Sequence, residues 1–208
     1  MLKIAHLITP ESADRARLIN EAENARQAEL AKYEQERTAA KNLRLAAIPP
    51  RYLQHAPPPI PPDDWRTAGT GILLISGPTG TYKSTLAAAM AQQATAAESV
   101  MFTSIAQLIA DIQAGYGSDK RESVAIVDRA IACGLLVLDD LGSERPTEDA
   151  RTRIALIIDQ RQAWLRPTVI TTNLELRVIA DVYGDRVASR IGGGTRHRLD
   201  GSDQRLAR

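Results

Sequence analysis

Residues 77–84 read Gly77-Pro78-Thr79-Gly80-Thr81-Tyr82-Lys83-Ser84. An apolar run, residues 71–76, comes before this stretch, and an alanine-rich run from Thr85 to Ala97 that favours a helix follows it. A glycine loop that ends in Lys-Ser and joins a strand to a helix is the pattern of a phosphate-binding P-loop. Backbone N–H groups of such a loop point at phosphates, and the positive end of the helix adds to the attraction. The sequence therefore predicts that residues 77–85 bind a nucleotide.

Three side chains of this loop carry specific expectations. Lys83 should reach the β- and γ-phosphates, and the hydroxyl of Ser84 can ligate Mg²⁺. The residue before the lysine is usually glycine in such loops, and here it is Tyr82. A tyrosine fits most easily with a negative φ and an outward ring, so we expect that geometry at Tyr82.

Predicted strands and helices alternate from residue 69 onward. The strands are predicted at residues 71–76, 99–103, 135–138, 168–171 and 195–199. The helices are predicted at residues 85–97, 105–114, 122–132, 148–165, 174–183 and 186–191. This alternation is typical of an α/β fold, and it predicts a five-stranded parallel sheet between helices.

Polar residues follow two of the predicted strands. Asp139 and Asp140 come directly after the apolar run Leu135–Leu138, and Asn173 ends the strand that starts at Thr168. Ligands of open α/β sheets bind at the carboxyl ends of the strands, where these side chains should meet. We expect Asp139 to hold Mg²⁺, Asp140 to orient or deprotonate the attacking water, and Asn173 to hydrogen bond that water and the γ-phosphate.

Two arginines near the end of the chain are further candidates for catalysis. Arg186 and Arg190 are four residues apart, so they share one helical face. An arginine can stabilise the charge on a transferring phosphoryl group, either within its own subunit or in the next one. Ordinary surface salt bridges are the alternative interpretation.

The N-terminal third of the chain differs in composition from the rest. Residues 11–47 contain no Gly or Pro and are rich in helix-forming residues, which predicts a long helix with a thin apolar stripe. Residues 49–62 contain seven of the chain's 11 prolines, which excludes a helix and favours a semi-rigid linker. The predicted domains are therefore a helical, partner-binding arm (residues 1–48), a proline-rich linker (residues 49–64) and an ATPase domain (residues 65–208).

Composition excludes several other classes of protein. The 26 basic and 25 acidic residues nearly cancel, so bulk charge does not indicate a nucleic-acid binder. Cys133 is the only cysteine, which excludes an internal disulfide and a cysteine-based zinc site. No apolar run approaches the length of a membrane span, and the first eight residues do not form a signal peptide. We expect a protein of the cytoplasm that makes no contact with a membrane.

As a set, these motifs resemble those of the DnaC/IstB group of AAA+ ATPases, which are helicase loaders and transposition helper ATPases. Four segments over about residues 65–201 carry the resemblance: residues 77–84, residues 136–142 with Asp139, Asp140 and Gly142, residues 167–173, and residues 184–190. The segment Ile48-Pro49-Pro50-Arg51-Tyr52 also resembles the lead-in of this group.

The resemblance implies an AAA+ core and ATP hydrolysis with Mg²⁺. By resemblance, Asn173 is the sensor and Arg190 the arginine finger that acts on the neighbouring subunit, with Arg186 as a second candidate. The chain ends soon after Arg190, so no C-terminal lid domain is expected.

The function that the resemblance implies is loading a replicative helicase. The protein would form a homo-oligomer with ATP, grip single-stranded DNA with its core and hold the helicase with its arm. One alternative is an IstB-like transposition helper that assembles on DNA. Another is a nucleotide-sensing adaptor with little hydrolysis, in which the loop with Tyr82 only senses ATP.

Overall fold

The computed structural model of the chain describes residues 19–35, 48–67, 70–94, 99–118, 120–143 and 146–201. The chain divides into two compact units, Met1–Asn42 and Leu43–Arg208. In the first unit, residues 19–35 form helix α1, and all of them are exposed. The helix predicted over residues 11–47 is thus confirmed for residues 19–35, and the rest of that prediction lies outside the described residues.

The second unit contains alternating strands and helices. They are β1 (Ile72–Ser76), α2 (Lys83–Gln93), β2 (Val100–Ser104), α3 (Ile105–Ser118), α4 (Lys120–Ala132), β3 (Leu135–Leu141), α5 (Glu148–Ala163), β4 (Thr168–Thr172), α6 (Leu176–Tyr183), α7 (Asp185–Gly192) and β5 (Thr195–Arg198). Two 3-10 turns, Pro50–Leu53 and Asp63–Arg66, come before β1.

The five strands form one parallel sheet in the order β2-β3-β4-β1-β5. The predicted five-stranded parallel sheet is confirmed. Because β3, β4 and β1 are neighbours and run in one direction, the residues that follow them meet at one edge of the sheet. That edge carries the P-loop after β1 and the polar ends of β3 and β4.

The central strands are apolar on both faces, as expected for a buried parallel sheet. In β1, Ile72 and Leu74 pack on one face with helices α3 to α7, whereas Leu73 and Ile75 pack on the other with α2. The alternation follows from the two-residue period of a strand. Helices therefore cover both faces, as predicted.

A buried arginine fixes the start of β4. Arg161 is fully buried, and its guanidinium donates hydrogen bonds to the Thr168 hydroxyl at 2.8 Å and to the carbonyls of Ala130, Cys133 and Pro167 at 2.9, 2.8 and 2.6 Å. These acceptors lie at the end of α4, at the first residue of β4 and at the residue before it. Burial of a charged group is costly when its hydrogen bonds are not made. Here the guanidinium and each of its acceptors have a partner, so this cost is avoided.

Several element ends differ from the sequence-based bounds, among them the ends of β3, α2 and α5. Strand β3 runs to Leu141 instead of residue 138, because Asp139 and Asp140 remain in the sheet around a register shift next to β4. Helix α2 ends at Gln93, with Ala94 as its extended cap. Helix α5 ends at Ala163, and the positive φ of Leu165, 49°, turns the chain toward β4.

The proline-rich segment, predicted as a semi-rigid linker, packs in part against the core of the second unit. Ile48 is fully buried, and Tyr52 and Ile60 pack on the same apolar cluster as α2. The prolines do keep the segment out of α-helices, as predicted. We call residues 48–67 the lead-in segment.

None of the described helices is both long and apolar enough to cross a membrane.

Candidate nucleotide-binding site

A cavity of about 510 Å³ lies at the edge of the sheet where β1, β3 and β4 end. Its volume is in the range of small-molecule binding sites. Three parts of the chain line it. The P-loop gives Thr79, Gly80, Tyr82, Lys83, Ser84 and Thr85, the strand ends give Asp139, Asp140, Ser143, Thr171 and Asn173, and the lead-in segment gives Arg51, Tyr52, Gln54 and His55.

The P-loop is held in shape by its own side chains. The ammonium group of Lys83 donates hydrogen bonds to the carbonyls of Gly77 at 2.9 Å and Pro78 at 2.7 Å, and the Thr81 hydroxyl donates to Pro78 at 2.9 Å. Gly77 has a φ of 151°, and a Cβ there would collide with the carbonyl oxygen of Leu199. The predicted loop geometry therefore requires glycine at this position.

Tyr82 differs from its expected conformation. Its φ is 59° and its ψ is 30°, in the left-handed region, where it precedes the first residue of α2. The expectation of a negative φ is wrong, because the loop keeps the backbone shape that glycine normally provides. The ring of Tyr82 lies 5.3 Å from the ring of His55, centroid to centroid, which gives the tyrosine a contact that glycine would lack.

This conformation leads to a prediction for substitutions at Tyr82. Glycine adopts a positive φ freely, whereas a β-branched residue there is strained. We expect Tyr82→Gly to keep ATP affinity within about threefold of wild type and Tyr82→Val to bind ATP about tenfold more weakly than Tyr82→Gly, since the left-handed region costs a residue with a Cβ about 1–2 kcal/mol that glycine does not bear. Titration of each folded variant with a fluorescent ATP analogue measures this. Equal affinities for the two variants would contradict the role of the backbone.

The end of β3 turns its two carboxylates in different directions. Asp139 is 2% exposed, whereas Asp140 is exposed, with a φ of 60° inside the register shift between Leu138 and Leu141. Bulges of this kind commonly re-aim a side chain near a functional site. Asp139 is thus buried at the end of the sheet and Asp140 is exposed, and both line the cavity.

Threonines of β4 lock the end of β3 in place. The Thr171 hydroxyl donates to Oδ1 of Asp139 at 2.6 Å and accepts from the N–H of Asp140 at 2.8 Å. The Thr172 hydroxyl donates to the carbonyl of Leu141 at 2.7 Å. Asn173, the predicted sensor, is exposed and lines the cavity. The structure therefore brings Asp139, Asp140 and Asn173 together with the P-loop.

The lead-in segment supplies residues that the motifs did not identify as part of the site. Tyr52 donates a hydrogen bond from its hydroxyl to Oδ2 of Asp139 at 3.0 Å, although 87 residues separate them. Arg51 donates to the same hydroxyl and places its guanidinium 4.6 Å from the centre of the Tyr52 ring. The resemblance of residues 48–52 to a family lead-in was the only sequence signal for these contacts.

The Tyr52 hydroxyl stays protonated in this setting. Burial raises the pKa of the phenol, and the Asp139 carboxylate raises it further, whereas hydrogen bonds with Arg51 and Ser84 oppose the shift. The hydrogen bond to Tyr52 is also the main reason that the pKa of Arg51 is raised. At neutral pH the site thus holds a cationic guanidinium and a neutral phenol beside Asp139.

The two candidate arginines lie elsewhere on the surface of the unit. Arg186 and Arg190, both on α7, form ion pairs with the two oxygens of Asp159 on α5, at 2.6 and 3.2 Å. Their side chains are 72% and 46% exposed, and neither lines the cavity. The structure does not bring them to the P-loop of their own chain.

Comparison with known proteins places these features in a family. The chain matches the family described as IstB-like ATP binding protein over residues 3–191. It is 28% identical over 118 residues to the uncharacterized protein YdaV of Escherichia coli K12, covering 56% of this chain and 47% of YdaV. It is 25% identical over 119 residues to the replicative helicase loader DnaC of that strain, covering 57% of this chain and 49% of DnaC. The chain thus spans about half the length of these relatives.

Solved structures share the fold at lower identity. The AMPPCP-bound DnaA of Aquifex aeolicus superposes with a TM-score of 0.59 at 19% identity, over 66% of this chain and 42% of DnaA. A DnaI structure gives 0.53 at 20% identity, over 74% of this chain and 78% of DnaI. The structure of the DnaC helicase loader gives 0.50 at 22% identity, over 71% of this chain and 94% of that one. These likenesses identify the α/β unit as an AAA+-type P-loop fold.

Proposed function

Since the chain belongs to the IstB-like ATP-binding family, we propose that it is an ATP-hydrolysing helicase loader that places a replicative DNA helicase on single-stranded DNA. The observation that carries the proposal is the cavity that joins the P-loop to the ends of β3 and β4. The similarity to DnaC, a replicative helicase loader, supports the biological role.

Residues of the cavity have the chemistry that ATP hydrolysis needs. Lys83 would exchange its loop carbonyls for oxygens of the β- and γ-phosphates, whose charge it would neutralise. Asp140 would orient or deprotonate the attacking water, with Asn173 as a second hydrogen-bonding group. Both of these side chains line the cavity, so they can reach a bound nucleotide.

The donor set also fits Mg²⁺. Hard cations of this kind take oxygen ligands and are usually held by one or two protein groups together with substrate phosphates. Ser84 offers a hydroxyl and Asp139 a carboxylate, and both residues line the cavity. When bound, the ion would neutralise charge on the phosphates, and Ser84 and Asp139 would hold it.

The N-terminal helix has the features of a docking element. Ile19, Leu30 and Tyr33 are 51%, 56% and 61% exposed. At 3.6 residues per turn these three residues fall in a sector of about 60° around the helix, so they form one apolar stripe. An exposed apolar stripe on a helix supports contact with a partner protein.

We expect the double variant Leu30→Glu/Tyr33→Glu to lose capture of the host's replicative helicase, because it places two charges in the stripe. ATP affinity should stay unchanged, since both side chains are exposed on α1 and neither lines the cavity. The measurement is a pull-down of purified helicase by the full chain with ATP. The matched control is Asn24→Glu/Gln35→Glu, which adds the same charge on the opposite side of α1. Capture by the stripe variant at the level of the control would contradict the role of the arm.

The match to IstB-like proteins favours one second candidate, a transposition helper that assembles on DNA. Binding measurements on the wild-type protein distinguish a helicase loader from a transposition helper. A helper would fail to capture the helicase but would bind duplex DNA in an ATP-dependent way. A nucleotide-sensing adaptor would bind ATP with negligible turnover, with or without DNA.

A further inference from the structure

The lead-in segment places one hydroxyl against Asp139, one of the two groups that would hold Mg²⁺. The hydroxyl of Tyr52 donates to Oδ2 of Asp139 at 3.0 Å and accepts from Arg51. A phenol has one proton to donate, and here that proton is directed to Asp139 while the guanidinium of Arg51 uses an acceptor site. Such a hydroxyl has little freedom to turn away from Asp139.

The tyrosine ring is also fixed. It packs on the ring of Phe102 with a centroid distance of 5.8 Å, and its neighbour Ile48 is fully buried. The 3-10 turn that carries it, Pro50–Leu53, lies against α2, the helix that starts with Lys83 and Ser84. Packing of the turn on α2 therefore fixes the hydroxyl next to the P-loop, in addition to its hydrogen bonds.

Asp139 depends on this hydroxyl for half of its hydrogen bonding. The carboxylate is 2% exposed, Oδ1 accepts from Thr171 and Oδ2 accepts from Tyr52. Each oxygen keeps further lone-pair capacity for a cation or its water shell. Two hydroxyls from different parts of the chain thus set the plane of a buried carboxylate.

We propose that Tyr52 is a positioning residue that holds Asp139 in the geometry that binds the Mg²⁺ of Mg²⁺–ATP. The proposal rests on the proposed function, because it assumes that Asp139 helps to hold the ion. Tyr52 acts on the ion through Asp139. Outer-shell partners of metal ligands typically change metal affinity about 10–100-fold when they are removed.

The test is Tyr52→Phe, which deletes the hydroxyl and keeps the ring on Phe102. Binding of a fluorescent ATP analogue is measured while Mg²⁺ is titrated, and again in excess chelator. We expect the Mg²⁺ concentration for half-maximal enhancement of binding to rise about tenfold or more. Affinity in chelator should change less than about twofold, since the P-loop is intact. Tyr183→Phe, the same substitution at a buried tyrosine of α6 that does not line the cavity, is the matched control and should leave both values unchanged.

Asp139→Asn separates a failure of this proposal from a failure of the metal site. It should raise the Mg²⁺ requirement too, and adding Tyr52→Phe to it should have little further effect, because both act on one carboxylate. If Asp139→Asn leaves the Mg²⁺ requirement unchanged, the assumed metal site is wrong. If only Asp139→Asn raises it, Tyr52 has no positioning role. A lower Mg²⁺ requirement in Tyr52→Phe, or an equal loss with and without Mg²⁺, would also overturn the proposal.

Discussion

Replacement of Lys83 by alanine is expected to lower ATP affinity at least about 100-fold and to abolish hydrolysis. Lys83 is the first residue of α2, is 9% exposed and lines the cavity. Hydrogen bonds to a charged group contribute about 1.5–3 kcal/mol each, and the lysine should make two to the phosphates. Since about 1.4 kcal/mol corresponds to a factor of ten, the loss of both gives this range.

The measurement is equilibrium titration with a fluorescent ATP analogue, together with phosphate release. Thermal unfolding must accompany it, because Lys83 also bonds the loop carbonyls of Gly77 and Pro78. Water can replace those two bonds at an open cavity, so the fold should survive. Lys32→Ala, on the exposed arm helix, is the control for loss of a lysine. A folded Lys83→Ala protein with normal affinity and turnover would falsify the P-loop assignment.

The parts of the site that are contiguous in sequence could be predicted. The P-loop joins β1 to α2 without interruption, and its glycines and Lys-Ser pair have one common structural context. Asp139 and Asp140 follow a four-residue apolar run, which is enough to identify a buried strand and its carboxyl end. Parallel strands then bring these acids to the P-loop edge of the sheet.

The parts of the site that depend on contacts between residues far apart in sequence could not be predicted. Tyr52 and Thr171 reach Asp139 from 87 and 32 residues away, and no spacing rule links those positions. The proline content of residues 49–62 indicates an extended backbone, but it does not reveal that Ile48 and Tyr52 are buried beside α2. Side-chain burial in an irregular segment follows from the surface it meets, which composition does not describe.

The conformation of Tyr82 shows a different limit of prediction from the sequence. Steric preference alone favours a negative φ for tyrosine, and the structure has 59°. The loop shape is imposed by the hydrogen bonds of Lys83 and Thr81 and by the start of α2, and the His55 contact offsets part of the local strain. Tertiary constraints outweigh about 1–2 kcal/mol of intrinsic preference here.

Arg190→Ala is expected to lower ATP hydrolysis by about 10³-fold or more if Arg190 acts as a finger on a neighbouring subunit. Its guanidinium does not line the cavity of its own chain, and it is 46% exposed on α7. A residue so placed can serve a second copy of the chain more readily than its own P-loop. The ion pair with Asp159, which Arg186 shares, would hold it on the surface of α7.

Subunit mixing tests this directly. Arg190→Ala has an intact cavity and no finger, whereas Asp140→Asn keeps its finger and binds ATP without cleaving it. Each alone should be nearly inactive. In an equal mixture about one quarter of head-to-tail interfaces combine an intact cavity with an intact finger, so about a quarter of wild-type turnover should return. The control is Arg153→Ala, which removes the ion pair between Arg153 and Asp149 on α5 and should behave as wild type.

If Arg186→Ala is inactive and Arg190→Ala is not, Arg186 is the finger. If neither matters, and turnover per subunit does not rise with protein concentration, hydrolysis does not depend on a neighbouring subunit.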